Sequence, residues 1–545
     1  MALRSLGHRA PLLWLVLPYA AGLAISRFAH GVPVIPGLTG AGIAAVLGLV
    51  GARKNYPIWV CTMLLTLVLT GAASYTLHRN RLAEWDHLPP REANLSIRVD
   101  RSYTDTFENH GMGLATIIGT EPHLDDLRGQ QIYFSLRRDA DTPRPVRTAE
   151  FETMGVLELL PESPPENTFE GYLAATGMNY TLTRGRLLNQ TNPPTTFRKF
   201  CADSQNRFAE LLGMGIENKR PEQTGVLRAM LLGQKDELSE AQDVLFMHSG
   251  TMHLFAISGL HIGVIALGFQ ALFSLLRLPR TVRLILGLSL LWLYVQITGG
   301  TPSAVRAFCM VALLQISFQW KVPGNPLAAL TASALLVLLY DPLQLFSASF
   351  QLSYGIVGAL LLLGLPLGET MIQRWPVFSH LPTSTWHWWH HAISAAWRAL
   401  IGAWAIGLAS VLFSMIAGIQ YFGLSTPGAL VANLILIPVA SFVILAGMGS
   451  LLCGMMGFTF GTVLCNHAAA LILLVIDRAI RFFVTLPGVF HVAAFKASWI
   501  GPMALTLLLG SMLVGYAGGW SRRTGSWWPP LVIVLLTLIF GVNFA

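Results

Sequence analysis

The sequence predicts a polytopic α-helical membrane protein, with about 13 hydrophobic segments and an inserted small extracellular β-barrel domain of the OB type. Its 545 residues are 53% hydrophobic and only 12% charged, whereas soluble globular chains are about 25% charged. Apolar segments fill both ends of the chain, and one long polar region separates them. Short stretches of that region alternate between apolar and polar residues, as half-buried strands do.

The hydrophobic segments fall into two groups around the polar region. Three precede it, near 11–29, 34–51 and 57–77. Ten follow it, near 252–276, 282–298, 302–319, 326–340, 346–366, 399–420, 428–455, 460–486, 499–518 and 529–545. Segments broken by Pro or Gly are candidates for re-entrant structure. We expect N-terminal transmembrane helices in 1–79, an extracytoplasmic OB-like domain in 80–195, an amphipathic helical linker in 196–250 and a transmembrane channel domain in 251–545.

The polar region contains five stretches with strand-like alternation. Leu95, Ile97 and Val99 share one face, and "QIYFSLRR", "GMGLATIIG", "FETMGVLELL" and "MNYTLTRG" supply the other four. Five strands in about 90 residues suit a small closed barrel. After Phe197 the pattern becomes helical, and Ser239 with Gln242 has the spacing of a capping box at the start of a helix.

Charge is unevenly distributed and predicts the orientation in the membrane. Residues 80–245 hold 18 basic and 25 acidic side chains, so the excess of positive charge belongs to the apolar parts. With a cytoplasmic N-terminus, the short inner loops receive the basic residues Arg53, Lys54, Arg277, Arg280, Arg283, Lys321, Arg374, Arg522 and Arg523. The positive-inside rule then puts the β-domain outside the cytoplasm. This charge distribution does not indicate a strongly basic soluble domain that binds DNA.

Familiar enzymatic motifs are missing from the sequence. It has no Walker A, HExxH or GxSxG pattern, and its five cysteines are scattered, so we predict no enzymatic activity, no metal site and no cofactor. The segment "STWHWWHHAIS" offers His387, His390 and His391 as metal ligands. Its three tryptophans make an aromatic anchor at the membrane interface the favoured interpretation.

Polar residues inside apolar segments are costly and therefore informative. In "MHLFAISGLHIGV", Ser258 and His261 are expected to share a helical face, with His253 about two turns earlier. Gly259 and Gly263 have the spacing that lets another backbone approach closely. Either these residues line a polar path, or they are interfacial histidines and helix-packing glycines.

A second group follows in "TGGTPSAVRAFCM". Pro302 is a favourable first residue for a helix that Thr301 caps. A helix that begins there puts Arg306 roughly 7 Å from its start, and Ser303 lies on the same face as Arg306. A buried arginine needs an anion, a carbonyl or water, unless it snorkels to the interface. Gln351 and Ser353 of "SASFQLSYGIVG" and Asn433 of "VANLILIP" are further intramembrane polar residues. Only three acids lie outside 80–245, which favours a path for an anionic substrate.

These segments resemble, in order, the ComEC family of bacterial DNA internalisation (competence) proteins. The resemblance rests on "AMLLGQKDELSEAQDVLFMHSGTMHLFAISGLHIG", "TGGTPSAVRAFCM", "YDPLQLFSASFQLSYGIVG" and "ANLILIP". Gln234 stands where the family commonly has an acid. "FEGYLAATGMNYTLTRG" also resembles the end of the family's extracellular OB-like domain.

The resemblance implies passage of single-stranded DNA through the bacterial inner membrane during natural transformation. Many members carry a C-terminal metallo-β-lactamase-like nuclease that has no counterpart here. The nuclease is then a separate protein, or the sequence is truncated, or this member acts differently. Expected partners are single-stranded DNA, the lipid membrane, a cytoplasmic ATPase or helicase, a DNA receptor and a nuclease.

The predicted substrate path consists of His253, Ser258, Gly259, His261, Ser303, Arg306, Gln351, Ser353 and Asn433. We expect Arg306 to meet phosphates, and Tyr103, Tyr133 and Tyr180 are candidates for base stacking. Two alternatives remain open, a transporter of an anionic lipid or polymer and an intramembrane serine hydrolase. The hydrolase would use Ser258 with His253 or His261, but the sequence indicates no oxyanion donors.

Overall fold

The computed structural model describes residues 10–28, 33–51, 56–79, 89–103, 109–139, 141–161, 164–165, 168–320, 324–520 and 526–544. The fold is mostly helical, and one closed five-stranded barrel is inserted into it. Both features of the predicted fold class are thereby confirmed. Five of the basic residues that predict the orientation in the membrane lie outside the described residues: Arg53, Lys54, Lys321, Arg522 and Arg523.

The barrel follows three N-terminal helices, α1 (Leu13–Phe28), α2 (Val34–Gly51) and α3 (Tyr56–Arg79). Its strands are β1 (Arg91–Tyr103), β2 (His110–Gly119), β3 (Gln131–Arg138), β4 (Glu150–Leu159) and β5 (Tyr180–Asn192), with α4 (Phe169–Ala175) before the last strand. They close in the order β1-β2-β3-β5-β4, in which only β3 and β5 run parallel.

The alternating apolar residues fill the barrel as predicted. Leu95, Ile97 and Val99 of β1 and Ile132, Phe134 and Leu136 of β3 are all at most 2% exposed. Successive side chains of a strand point to opposite faces, so one apolar face per strand is enough to build this core. The result is the predicted OB-like arrangement.

Three helices connect the barrel to the second group of membrane helices. They are α5 (Thr196–Gly213), α6 (Pro221–Leu232) and α7 (Glu240–His248). Ser239 and Gln242 form the predicted capping box at the start of α7. The Gln242 backbone N–H donates to Ser239 Oγ over 3.3 Å, and the Ser239 N–H donates to Gln242 Oε1 over 3.2 Å.

The apolar helices after the linker correspond to the ten predicted segments. They are α8 (Gly259–Leu275), α9 (Arg280–Ile297), α10 (Pro302–Gln319), α11 (Pro326–Tyr340), α12 (Ala348–Ala359) with α13 (Leu365–Arg374), α14 (Trp388–Phe422), α15 (Ala429–Met455), α16 (Thr459–Val484), α17 (Ile500–Ala517) and α18 (Trp528–Gly541). Within the described residues, nine helical stretches are long and apolar enough to cross a membrane, and α1, α11 and α18 are shorter apolar helices.

Two separate apolar cores organise these helices. The first core is built by α5 to α9, α15 and α16, with Ala304 and Ala307 of α10 at its edge. The second is built by α1, α11, α12, α14, α17 and α18, and it includes Phe350 and Tyr354. Helix α10 packs against both α8 and α12. It therefore lies where the two cores meet.

Candidate substrate path in the membrane domain

The segment around Ser258 is not one continuous helix. A 3-10 turn covers Met252–Leu254, and α8 begins only at Gly259. Ser258 precedes the helix in an extended conformation, with φ −129° and ψ 175°. The expectation that Ser258 and His261 share a helical face was therefore wrong, because the chain breaks at the residue where that face would begin.

His261 nevertheless contacts Ser258 by reaching back over the start of α8. Its Nδ1 lies 3.0 Å from Ser258 Oγ and accepts from the Ser258 backbone N–H over 3.4 Å. An accepting Nδ1 leaves the proton of a neutral imidazole on Nε2. The ring is fully buried, and Nε2 has no hydrogen-bond partner among the described residues. A buried donor is thus available for an acceptor that the described residues do not supply.

His253 lies on the 3-10 turn and not on α8. Its side chain is exposed.

Helix α10 begins beside this break. Pro302 is its first residue, as predicted, but Thr301 makes no side-chain capping hydrogen bond. Ser303 Oγ donates to the carbonyl oxygen of Ile257 over 3.1 Å. This bond joins the first turn of α10 to the extended residues before α8, and it satisfies a carbonyl that the chain break leaves without a helical partner.

The two glycines of α8 do not mediate a tight helix contact. A Cβ atom placed on Gly259 would meet the Cβ of Ala307 at 3.8 Å, an ordinary packing distance, and one on Gly263 would meet nothing within 4 Å. The predicted close backbone approach was wrong. Gly259 still places the start of α8 against α10.

Arg306 is buried and bonded to a third helix start. It is 2% exposed, and its Nη2 donates to the carbonyl oxygen of Ser349 over 2.8 Å and to Ser349 Oγ over 2.6 Å. Ser349 lies in the first turn of α12. A carbonyl partner was among the predicted solutions, and snorkelling to the interface is excluded. Arg306 makes no salt bridge within the described residues, and its Nε has no partner there.

The remaining predicted residues are dispersed. Gln351 connects two helices, because its Nε2 donates to the Leu345 carbonyl over 3.1 Å and its Oε1 accepts from Tyr421 of α14 over 2.7 Å. Ser353 is half-buried on the same helix. Asn433 lies on α15, which packs against α8, and its buried Oδ1 has no partner among the described residues.

The structure thus brings Ser258, Gly259, His261, Ser303 and Arg306 together, where α8, α10 and α12 all begin. Helix N-termini carry partial positive charge, and Arg306 adds a full charge without an acid beside it among the described residues. This electrostatic environment favours an anion. Ser349 could not be predicted as a functional residue, because nothing in "FSASFQL" distinguishes it from Ser347.

On the barrel, the three candidate stacking tyrosines differ in environment. Tyr180 is 3% exposed and belongs to the barrel core, so its ring is not available for a base. Tyr133 packs edge-on against Phe169 with a centroid distance of 5.0 Å. Burial, followed by the proximity of Tyr172, raises the pKa of Tyr103 well above its usual value. Tyr103 and Tyr133 remain candidates within one aromatic cluster.

The histidine segment near α14 has the contacts of an aromatic anchor. His390 stacks on Trp389 with a centroid distance of 3.5 Å and meets Phe378 edge-on at 4.8 Å. The described part of the chain contains no group of three His, Cys, Asp or Glu side chains placed to hold a metal ion.

Comparisons with known proteins agree with the motifs quoted above. Residues 230–520 match the Competence protein family. The chain is 35% identical over 144 residues to ComE operon protein 3 of Bacillus subtilis, an alignment that covers 26% of this chain and 18% of the relative. It is 29% identical over 231 residues to Recombination protein 2 of Haemophilus influenzae, covering 40% and 27%.

A third relative is Competence protein ComA of Neisseria gonorrhoeae, 30% identical over 148 residues that cover 25% of this chain and 21% of the relative. The aligned stretches thus span no more than 27% of the length of these relatives. No solved structure matches the chain. Since the family match extends over more than half of the chain, and the apolar helices are those of a multi-pass membrane protein, the chain belongs to the competence (ComEC/Rec2) family of membrane proteins.

Proposed function

We propose that this protein is the channel that passes single-stranded DNA across the bacterial inner membrane during natural transformation. Family membership supports a role in DNA uptake. The observation that carries the finer proposal is Arg306, a buried cation with no acidic partner among the described residues, at the point where three helices begin. Because every nucleotide brings one phosphate, a strand that moves through this point repeatedly presents the anion that the site favours.

The path would run past the residues that lack hydrogen-bond partners. His261 Nε2 and Arg306 Nε are buried donors, and Asn433 Oδ1 is a buried acceptor, all without partners among the described residues. Unsatisfied buried polar groups are costly, so their presence in neighbouring helices supports a ligand or water that satisfies them in the working protein. In this proposal the exposed His253 lies on the same path. In this proposal the barrel faces away from the cytoplasm, in accordance with the basic short loops.

One contact favours the intramembrane hydrolase as a second candidate. Ser258 Oγ lies 3.0 Å from His261 Nδ1, which is the distance between a nucleophile and its base. The same nitrogen, however, also accepts from the Ser258 backbone N–H, so the pair closes the start of α8 as a helix cap does. The opposite nitrogen meets no carboxylate within the described residues, whereas a catalytic histidine requires such an orienting partner.

The test is uptake of labelled DNA into a DNase-protected cytoplasmic pool. We would compare cells that express this chain, cells that lack it and cells that express Arg306→Gln at the same level. We expect uptake to disappear on deletion and to return with the intact chain. Unchanged uptake after deletion would overturn the proposal, and a simultaneous loss of labelled anionic lipid transport would favour the lipid transporter. A separate nuclease, ATPase and DNA receptor belong to the proposal as partners of this channel.

A further inference from the structure

A second cationic site lies where the barrel meets the membrane helices, around Gly300. This glycine has a positive φ of 61° and lies in the turn between α9 and α10. A Cβ atom placed on it would lie 3.3 Å from Nη1 of Arg147 and 3.7 Å from Oε1 of Gln296. Arg147 comes from the segment between β3 and β4. A barrel residue therefore reaches the turn from which α10 starts.

Arg198, in the first turn of α5, completes this arrangement. Its Nη1 donates to the same Gln296 Oε1 over 2.7 Å, and the Gln296 side chain is almost fully buried. Burial, and after it the nearby positive charge of Arg147, lowers the pKa of Arg198. Two half-buried guanidinium groups are thus held around one turn, and neither forms a salt bridge within the described residues.

Among the described residues, no other charged group forms an ion pair with Arg147 or Arg198. Lys235, after α6, lies near the barrel residue Arg101 and near Asp243 of α7. Burial lowers the pKa of Lys235, while Asp243 opposes this shift. Asp243 therefore compensates the charge of Lys235, and no acid among the described residues is a cause of the pKa shift of Arg198. Like charges that face each other across an interface cost free energy unless an anion lies between them.

We propose that Arg147 and Arg198 together bind a phosphodiester group of single-stranded DNA at the barrel–membrane junction, before the strand reaches Arg306. This inference rests on the proposed function. Guanidinium groups present paired N–H donors in the geometry that a phosphate requires. Arg306 lies four residues after Pro302, the first residue of α10, and so about 6 Å along that helix from its start. Phosphates of one strand can therefore meet the two sites in turn.

The experiment uses the full chain in nanodiscs of neutral lipid, so that no lipid headgroup supplies the anion. A fluorescent oligothymidine of about 15 nucleotides, a length within the usual range of single-strand binding sites, is titrated at several salt concentrations. The proteins are the wild type, Arg147→Gln/Arg198→Gln and Arg147→Lys/Arg198→Lys. The matched control is Arg144→Gln/Arg207→Gln, which removes two exposed arginines from the same barrel segment and the same helix. Thermal unfolding and size exclusion establish that each variant is folded.

We expect the slope of log K against log salt to become shallower by about 0.7 for the double glutamine variant, because this variant no longer neutralises the one phosphate that the two arginines share. The affinity difference between this variant and the wild type would therefore be about 2.6-fold larger at about 50 mM than at about 200 mM salt. The double lysine variant should recover the slope but not the full affinity, since lysine retains only the charge. The control should match the wild type.

Two results would overturn the inference in distinguishable ways. If the wild type binds and the double glutamine and control variants both match it, the junction does not hold phosphate and the channel proposal stands. If the wild type does not bind the oligonucleotide, the inference and the proposed function fail together. If the double glutamine variant does not fold, the double lysine variant tests the inference in its place. A double lysine variant that binds the oligonucleotide as tightly as the wild type would exclude recognition of the phosphate by paired guanidinium groups.

Discussion

Arg306 of α10 donates two hydrogen bonds from one nitrogen, Nη2, to the backbone carbonyl oxygen and the Oγ of Ser349 in α12. The pair connects the two apolar cores of the membrane domain, since α10 packs on the first core and Phe350, next to Ser349, belongs to the second. A buried arginine held by a carbonyl remains fully charged. It therefore combines a structural contact with an uncompensated charge on the proposed path.

Arg306→Gln separates these two roles. We expect DNA uptake to fall at least about tenfold, because a hydrogen bond to a charged group contributes about 1.5–3 kcal/mol. The protein should still fold. Ser349→Ala, which removes Oγ but keeps the carbonyl, should cost about 1 kcal/mol of stability and leave most uptake intact. Uptake assays and thermal unfolding of the purified chain check both. Wild-type uptake with Arg306→Gln would exclude a phosphate contact.

Ser258→Ala distinguishes a helix cap from a nucleophile. Loss of a capping side chain costs about 1 kcal/mol, so we expect a lower unfolding temperature and uptake of the same order as the wild type. The His261 contact with the Ser258 backbone N–H remains. Complete loss of uptake in a folded Ser258→Ala protein, together with labelling of Ser258 in the wild type by a fluorophosphonate, would instead support the hydrolase.

Gly299 and Gly300 provide a matched pair around the junction. Both have positive φ, 88° and 61°, so alanine strains the backbone at either position. Only at Gly300 would the new Cβ also contact Arg147. We expect Gly300→Ala to weaken binding of the oligonucleotide more than Gly299→Ala, although the backbone strain is no larger. Equal binding by the two variants would contradict a role for the position of Arg147.

Glu237 should make stability depend on pH. Arg228 bonds Glu237 over 3.0 Å, yet burial is the larger influence and raises the pKa of Glu237 above 4.5. The folded state then binds more protons than the unfolded state just above pH 4.5. The free energy of unfolding therefore falls as pH rises through that interval.

Glu237→Gln should flatten this dependence. The control is Glu217→Gln, which removes the other carboxylate that Arg228 bonds, at an exposed position. Chemical unfolding at a series of pH values measures the slope for each variant. A slope in Glu237→Gln equal to that of the wild type would mean that burial does not control this carboxyl group.

The amino-acid sequence alone determined the positions of the membrane segments, the barrel strands and the capping box at Ser239. These features depend on local patterns: the length of an apolar run, the alternation of a strand and the spacing of a cap. The depth of Arg306 followed in the same way, from Pro302 as a helix start and the rise per residue. The family motifs were visible for the same reason, because each lies within one short segment.

Only the tertiary structure decided which residues meet. Ser258 is not part of the helical face, because the chain is extended before Gly259. The carbonyl of Ile257, in this extended stretch, accepts a hydrogen bond from Ser303, which lies 46 residues later in the chain. Ser349 as the partner of Arg306, and Arg147 beside Gly300, are contacts between distant segments that no local pattern encodes. Such contacts depend on how whole helices and the barrel pack, and packing is a property of the complete fold.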